Sequence, residues 1–422
     1  MGRGVQIIAR PKLFYGWWIV LVSLVVLFIT LGLGYYSFGV FFTPLVTDFG
    51  WSRAALSGAM SLFLLAWGLA SPLTGRLTDR YGPRRLIIWG TVGLGASLCL
   101  LSLTTALWQL YLLYAFAGAA SAICSEIPTS TAVSHWFRRK RGIAMGVTST
   151  GIGFGGLILA PAVNQLILSL GWQTTFVIAG VLAWVTIIPL AALVMKNRPQ
   201  EIGLVPDGDS SPNPMSTGEP RHQTNANPLS RSSPVSTRDV WLMGIGFSMA
   251  SFGLIGVTTH QVPYMIDNGI DATAAATALG LTAGIGVLSK LSFGYLADRF
   301  SPRGVMSACI ALQAVGVVLL MQISSLGIWA FVVVFAFAMG GNNTLRPLVI
   351  GEFFDLAAFG RVSGLTEFIR RVGAAAGPFL AGYIFDITGS YHYAFITFIV
   401  AYMVGIVTLL LIRPARQQSA PV

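Results

Sequence analysis

The sequence predicts an all-α membrane protein of twelve transmembrane helices, arranged as two six-helix bundles that repeat one another. Composition is the first observation: 55% of the 422 residues are hydrophobic and only 10% are charged, whereas a soluble protein carries about a quarter charged. The second is spacing, because residues 15–47, 86–125, 142–195 and 304–345 contain no charged side chain. A helix needs roughly 20 apolar residues to cross a bilayer. The first run therefore fits one span and the others fit two each.

The predicted spans follow these charge-free runs and their neighbours. They cover residues 15–46, 53–75, 86–104, 107–133, 142–168, 172–195, 239–266, 272–297, 304–323, 326–351, 362–385 and 391–412. The polar segment between the sixth and seventh spans is rich in Pro, Ser, Asn and Gly and buries too little apolar surface to order itself. We therefore predict an N-terminal bundle over 1–195, a flexible cytoplasmic linker over 196–238 and a C-terminal bundle over 239–422.

The basic residues predict the orientation, because cytoplasmic loops carry an excess of Lys and Arg. With the N-terminus inside, Arg53 is the one basic residue assigned to the outer side. The cytoplasmic set is Arg3, Arg10, Lys12, Arg76, Arg80, Arg84, Arg85, Arg138, Arg139, Lys140, Arg141, the basic linker residues, Arg299, Arg303, Arg361, Arg413 and Arg416. Both termini are predicted to be cytoplasmic, in the plasma or inner cell membrane. The net charge of +11 is then a topology signal, and since no nucleic-acid-binding motif is found, no nucleic-acid partner is expected.

An internal repeat is the third observation. Residues 75–84 read Gly-Arg-Leu-Thr-Asp-Arg-Tyr-Gly-Pro-Arg, and residues 294–303 read Gly-Tyr-Leu-Ala-Asp-Arg-Phe-Ser-Pro-Arg, 219 positions later. Pro128 and Pro347 stand at the same offset. Parallel repeats of this kind place a substrate site between the two halves, near the middle of the membrane.

The repeated segment is a candidate for a conformational latch. Gly75 would allow close helix approach, and Asp79 can accept hydrogen bonds from the unpaired N–H groups of a neighbouring helix N-terminus. Asp79 and Arg80, with their counterparts Asp298 and Arg299, could thus hold one conformational state. A solvated turn with arginines that set topology is the alternative.

Six ionisable side chains lie inside the predicted spans, where each costs about 2.5–3.5 kcal/mol on insertion scales. They are Glu126, Lys290, Arg346, Glu367, Arg370 and Arg371. Four are cations and two are anions, so a cavity that holds them has an excess of positive charge and attracts anions. This favours a small organic anion as the partner of the chain.

Lys290 is the leading candidate for binding a carboxylate as a point charge, and snorkelling of the lysine to the interface is the alternative. In span eleven, Glu367 reaches both Arg370 and Arg371 at i+3 and i+4. One arginine is then neutralised and the other remains for substrate, and the sequence leaves open which. A purely structural ion-pair cluster at a gate is the competing interpretation.

Three further positions carry open alternatives. Arg346 and Glu126, beside the repeated prolines, form either a salt bridge between the halves or pairs within their own halves. Asn342 and Asn343 either bind a substrate oxygen or cap a wet crevice. His260 titrates near neutral pH and either relays protons, meets the incoming carboxylate, or serves in packing.

Several features argue against other classes of protein. The glycines of residues 146–156 have no preceding strand and no Lys-Ser/Thr pair, so they predict close helix packing instead of a nucleotide loop. The cysteines lack the spacing of metal ligands, and no nucleophile lies beside a base. We therefore expect no enzyme activity, no cofactor and no metal.

The loop residues Gly75, Asp79, Arg80, Gly82, Arg84 and Arg85 resemble the signature between spans two and three of the major facilitator superfamily. Residues 136–146, running on to Gly151, resemble the loop and fifth-span motif of monocarboxylate transporters. Residues 15–18 resemble their first-span motif, and residues 198–208 the linker start of bacterial members. The resemblance implies the superfamily fold and the branch of monocarboxylate transporters and oxalate/formate antiporters. It further implies a monomeric secondary active transporter working by alternating access.

The resemblance also bears on substrate and coupling. Its members carry Arg at the position of Lys290, and oxalate exchangers carry a span-eleven Lys near Arg370 and Arg371. A monocarboxylate is the first expectation, with dicarboxylate exchange or export of an anionic amphipathic metabolite or drug as alternatives, and a non-transporting sensor last. Proton-coupled members have an Asp one turn before the span-eight cation, where this chain has Gly286. The coupling ion, a proton or a counter-anion, stays open.

Overall fold

The computed structural model describes residues 14–137, 140–206, 237–322, 324–354 and 356–412. The structure is α-helical. Its helices are α1 (Gly16–Leu31), a π-helical turn (Gly32–Tyr36), α2 (Phe38–Phe49), α3 (Arg53–Tyr81), α4 (Pro83–Leu101), α5 (Leu107–Cys124), α6 (Glu126–Trp136), α7 (Arg141–Leu193), a 3₁₀ turn (Pro199–Ile202), α8 (Thr237–Asp267), α9 (Ala272–Arg299), α10 (Pro302–Met321), α11 (Ser325–Phe353), α12 (Leu356–Thr388) and α13 (His392–Leu410).

The helices account for the twelve predicted spans. Within the described ranges, nine helices are long and apolar enough to cross a membrane, and ten if the bent pair Leu326–Asn342 and Thr344–Phe353 counts as one. Ile143–Leu193 holds the fifth and sixth spans together. The remaining predicted span is α12, which carries five charged side chains. The predicted architecture, two bundles of six spans, is confirmed.

Besides the bend in α11, the described chain has two breaks inside spans that the hydropathy pattern does not reveal and one break between spans. Span one passes through the π-helical turn, span four breaks at Ser125 between α5 and α6, and α7 kinks at Gly171 with φ +80°. Glycine is the residue that reaches this backbone conformation without a steric penalty, and the kink lies between the two predicted spans. The break at Ser125 makes Glu126 the first residue of α6.

The repeat is visible in side-chain contacts. The guanidinium of Arg84 donates to the carbonyl of Ala192 at the end of span six. Arg303, 219 residues later, donates to the carbonyl of Ile412 at the end of span twelve, at 2.8 Å. Each arginine therefore satisfies a carbonyl that a helix C-terminus leaves unpaired. The two halves use the same device to fasten their third helix to their last.

The glycine-rich part of α7 packs closely on two neighbours, as predicted. A side chain at Gly151 or Gly155 would collide with backbone carbonyls of α1. A side chain at Gly153 or Gly156 would collide with α9, in the other half. Alternate glycines of α7 thus join it to its own bundle and to the facing bundle.

Candidate functional site

The six intramembrane charges form a central cluster built around the carboxylate of Glu367. This carboxylate accepts from Arg346 Nη1 at 2.5 Å, from Arg370 Nε at 2.8 Å and Nη2 at 2.5 Å, and from Arg371 Nε at 3.0 Å. Both oxygens of Glu367 are therefore occupied. Charge-assisted, bidentate pairs of this kind are the strongest hydrogen bonds in proteins.

Arg370 and Arg371 are held differently, although both contact Glu367. Arg370 uses Nε and Nη2 on the carboxylate, and its Nη1 lies 3.4 Å from the hydroxyl of Ser251. Arg371 uses only Nε, so that its outer nitrogens extend towards the N-terminal half. There its guanidinium carbon lies 5.5 Å from the ring centre of Trp67, a cation–π contact. The end of Arg371 is thus the part of the pair that faces the other bundle.

Glu126 is the carboxylate that the N-terminal half presents to the cluster. Its Oε2 lies 3.9 Å from Nη2 of Arg371 across the interface between the halves. Of the two alternatives for Arg346, pairing within its own half is the one observed, because Arg346 forms an ion pair with Glu367. The cross-half ion pair in this region therefore joins Glu126 to Arg371.

Lys290 lies in α9, partly buried, and the charge of Glu126 acts on it electrostatically. It makes no hydrogen bond or ion pair with any residue in the described part of the chain. The cluster as a whole has four cations and two carboxylates, which leaves an excess of two positive charges. Lys290 is the cation that is least compensated.

Asn342 lies beside the cluster, where its backbone carbonyl accepts from Arg346 Nε at 3.3 Å. Its side chain is 4% exposed, and neither its oxygen nor its nitrogen has a partner within the described ranges. A buried amide in this state has unmet hydrogen-bonding capacity. The side chain of Asn343, the second predicted asparagine, lies outside the described residues.

At one end of the bundle, called the Arg53 side, a network of hydrogen bonds joins the two halves. We call it the Arg53 latch; its members are Arg53, Ala54, Ser57, His260, Asp267, Asp386 and Tyr391. Arg53 forms an ion pair with Asp267 at 2.6 Å and donates to the Tyr391 hydroxyl at 2.9 Å. Asp386 accepts from the backbone N–H groups of Arg53 and Ala54, both at 2.8 Å. A carboxylate from one half therefore caps the N-terminus of α3 in the other.

His260 belongs to this latch and lies away from the central cluster. The ring is fully buried, with Nδ1 2.9 Å from the Tyr391 hydroxyl and Nε2 2.9 Å from the Pro378 carbonyl and 3.1 Å from Ser57 Oγ. Since a carbonyl only accepts, Nε2 carries a proton. Both ring nitrogens are engaged by protein groups in this conformation, and the predicted roles of His260 in meeting the substrate carboxylate or relaying protons stay predictions.

The opposite end, called the Asp79 side, lacks a comparable network. Asp79, Arg80 and Arg299 are exposed, and a side chain added at Gly75 would meet nothing within 4 Å. The expected close approach at Gly75 is therefore absent in this conformation. Among the described residues, every hydrogen bond or ion pair between the halves lies on the Arg53 side or at the depth of the central cluster. The side chain of Asp298, and Arg138, Arg139, Arg413 and Arg416, lie outside the described residues.

Sequence reasoning missed most of the Arg53 latch. Asp267, Asp386 and Tyr391 stand at span ends, where polar residues are common, and no periodic signal distinguishes them. Arg53 offered the one usable clue, because it is the single basic residue assigned to that side and needs an acidic partner. The acidic residues nearest the ends of other spans on that side were the available candidates.

A small cavity lies between the halves, between the central cluster and the Arg53 latch. Tyr35, Tyr36 and Phe38, which follow one another across the π-helical turn, line it together with Met60 and Thr258. The Tyr35 hydroxyl lies 3.2 Å from Thr258 Oγ1, which adds a polar contact between the halves. π-Helical turns are frequent at functional sites, and this one aims three aromatic rings at the interface.

Known proteins resemble the chain over most of its length. Monocarboxylate transporter 13 of Bos taurus is 25% identical over 366 residues, which cover 85% of this chain and 80% of the relative. The oxalate:formate antiporter of Oxalobacter formigenes is 26% identical over 360 residues, covering 82% and 80%. A solved structure of a bacterial homologue of the human lysosomal transporter Spinster, inward-facing and unoccupied, superimposes with a TM-score of 0.67 at 16% identity, covering 96% and 95%.

The first two relatives are transporters, and the structural neighbour shares the fold. A sequence model of the Major Facilitator Superfamily matches residues 24–292 and 241–422, which together span both bundles. The repeated loop, the twelve spans and the charged interface between the bundles agree with this match. The chain is a multi-pass membrane transporter that belongs to the Major Facilitator Superfamily.

Proposed function

We propose that the protein is a secondary active transporter that carries a small organic anion, a monocarboxylate in the first instance, by alternating access. The proposal depends on the excess of two positive charges at the interface between the halves. Cations without counter-charges are costly inside a membrane, and a carboxylate substrate would supply the missing charge. The anions that give the relatives their names, monocarboxylates, oxalate and formate, have the same chemistry.

The pairing of Glu126 with Arg371 is the observation that supports the position of the substrate. Glu126 brings a carboxylate to within 3.9 Å of Arg371 and within electrostatic reach of Lys290. A substrate carboxylate has the same chemistry and would fit between the same two cations. We therefore assign Lys290 and Arg371 to the substrate, Asn342 to a substrate oxygen, and Arg346, Glu367 and Arg370 to the scaffold that orients Arg371.

Alternating access follows from the contrast between the two ends. With the Asp79 side taken as cytoplasmic, as the basic residues favour, the halves are fastened at the outer end and, among the described residues, share no hydrogen bond or ion pair at the inner end, which supports an inward-facing state. Transport would require the Arg53 latch to break and the loops of Asp79 and Asp298 to close. On this proposal the protein acts as a monomer in the plasma or inner cell membrane, with both termini cytoplasmic.

A dicarboxylate such as oxalate is the second candidate substrate. Two uncompensated positive charges match the charge of a dianion, whereas a monocarboxylate leaves one charge unmatched. Exchange of a dianion for a monoanion would also supply a driving force without protons. The alternatives differ in the number of charges carried in each cycle, which can be measured.

Uptake into proteoliposomes tests the proposal. Purified protein should take up labelled lactate, pyruvate, formate or oxalate faster than empty liposomes, and a cation of similar size should not enter. Lys290→Ala should abolish uptake, and Lys290→Arg should retain part of it because the charge is kept. Lys140→Ala, an exposed lysine outside the cluster, is the matched control and should transport normally. Normal uptake by Lys290→Ala would remove Lys290 from the substrate site.

A further inference from the structure

The two carboxylates of the central cluster are held in opposite ways. Glu367 accepts four hydrogen bonds of 2.5–3.0 Å from three arginines. Glu126 has a single ion pair, at 3.9 Å, which is longer than a hydrogen bond, and about half of its side chain is exposed. Glu367 is thus fixed, whereas Glu126 is displaceable.

Glu126 is also placed where a displaceable carboxylate is useful. It is the first residue of α6, where the helix dipole favours a negative charge, and it belongs to the half that must move relative to Lys290 and Arg371. Nothing in the described chain ties its carboxylate to its own bundle. It can therefore meet the two cations when they are empty and withdraw when another carboxylate arrives.

The physical need for such a group arises during the conformational change. When both ends of a transporter are closed, water leaves the cavity, and a cation without a counter-ion then becomes costly. A loaded carrier has the charge of its substrate. An empty carrier has to supply the charge itself or remain on one side.

We propose that Glu126 is an internal counter-ion that takes the place of the substrate carboxylate on Lys290 and Arg371, and that it allows the empty carrier to change sides. This inference rests on the proposed function and extends it, because it decides the mode of transport. With Glu126 the protein can carry out net uptake. Without the charge of Glu126 it would be restricted to exchange of one anion for another.

The test measures how often the empty protein opens on the Arg53 side. Thr259 lines the cavity between the halves and is 4% exposed, so Thr259→Cys reacts with a maleimide only after opening. When the reagent is saturating, each opening leads to labelling before the protein closes again, so the labelling rate equals the opening rate. Labelling of the native cysteines Cys99, Cys124 and Cys309 is subtracted with protein that lacks the reporter.

In carboxylate-free buffer, Glu126→Gln should open at least about tenfold more slowly than wild type, because one more charge is uncompensated in the closed cavity. Glu126→Asp, which keeps the charge, should open nearly as fast as wild type and shows that the fold tolerates substitution. Pyruvate or oxalate should restore the rate of Glu126→Gln. In proteoliposomes, the same variant should exchange labelled pyruvate or oxalate but lose net uptake.

The outcomes separate this inference from the proposed function. Equal opening rates for wild type and Glu126→Gln without anion would overturn the inference, whatever the protein transports. Equal slowing by Glu126→Asp and Glu126→Gln would overturn it too, since the charge would then be irrelevant. Slowing that neither pyruvate nor oxalate relieves would support the counter-ion role and contradict the small-carboxylate substrate.

Discussion

The two ends of the molecule differ in how their polar residues are used. On the Arg53 side, an ion pair, a helix cap and a buried histidine join the halves within a few ångströms. On the Asp79 side, Asp79, Arg80 and Arg299 are exposed, and no hydrogen bond or ion pair joins the halves there among the described residues. The end with a single basic residue in the sequence is therefore the end that is fastened, because Arg53, Asp267 and Asp386 have partners across the interface.

An architecture built from two repeats can thus carry unrelated contacts at its two ends. The internal repeat makes the two halves similar, but it relates each loop on the Asp79 side to another loop on the same side. It gives no counterpart to the Arg53 latch at the opposite end. The balance between closed and open states can therefore be changed at one end without altering the other.

Arg53→Ala should have the largest effect on this difference. It removes the ion pair with Asp267 and the hydrogen bond to Tyr391, and it leaves both partners short of one bond. Loss of about 2–3 kcal/mol from such a charged pair would raise the population open on the Arg53 side roughly 30- to 150-fold. Distances between spin labels at the exposed positions Ser169 and Asn268, measured by double electron–electron resonance, report the opening.

The control for Arg53→Ala is Lys140→Ala, an exposed cation at the other end, which should leave the distance distribution unchanged. An unchanged distribution for Arg53→Ala would mean that the latch does not hold the Arg53 side closed.

Asp386→Asn should have an intermediate effect in the same distance measurement. The amide keeps one oxygen for one of the two N–H groups at the start of α3, but it loses the charge that the helix N-terminus favours. A helix-dipole contact is worth about 0.3–1 kcal/mol, so the open population should rise by a few fold at most. A larger shift than that of Arg53→Ala would make the helix cap, and not the ion pair, the main contact of the latch.

Asp79→Asn should have the smallest effect, a change of less than about twofold, because an exposed carboxylate without a partner stabilises little. The role of Asp79 should appear in the double variant with Arg53→Ala. In those molecules of the double variant that are open on the Arg53 side, we expect the Asp79 side to be closed. There Asp79→Asn should return part of the population to the present conformation. Opening of the Arg53 side by Asp79→Asn alone would show that Asp79 stabilises the present state instead.

Much of the fold could be predicted from the sequence, because bilayer thickness and charge placement dictate span number and length. The breaks in the helices could not be predicted. Ser125 and the π-helical turn lie within uniformly apolar runs, where hydropathy carries no information about backbone geometry. These breaks matter, since one makes Glu126 the first residue of a helix and the other turns Tyr35 towards the interface.

The sequence could predict which residues form the central cluster, but not how they pair with one another. Intramembrane charges are rare enough that Glu126, Lys290, Arg346 and the α12 residues were found by their cost alone. The ion-pair partner of each arginine depends on the relative positions of helices that are far apart in sequence. The pairing of Arg346 with Glu367 and of Arg371 with Glu126 therefore required the structure.

Thermal unfolding with added anion tests whether uncompensated positive charge at Lys290 and Arg371 binds a carboxylate. A ligand that binds only the folded protein raises its stability in proportion to the logarithm of ligand concentration above Kd. Pyruvate or oxalate should raise the melting temperature of wild type and of Lys140→Ala, and neither should raise that of Lys290→Ala. Equal stabilisation of Lys290→Ala and wild type would show that Lys290 does not bind the anion.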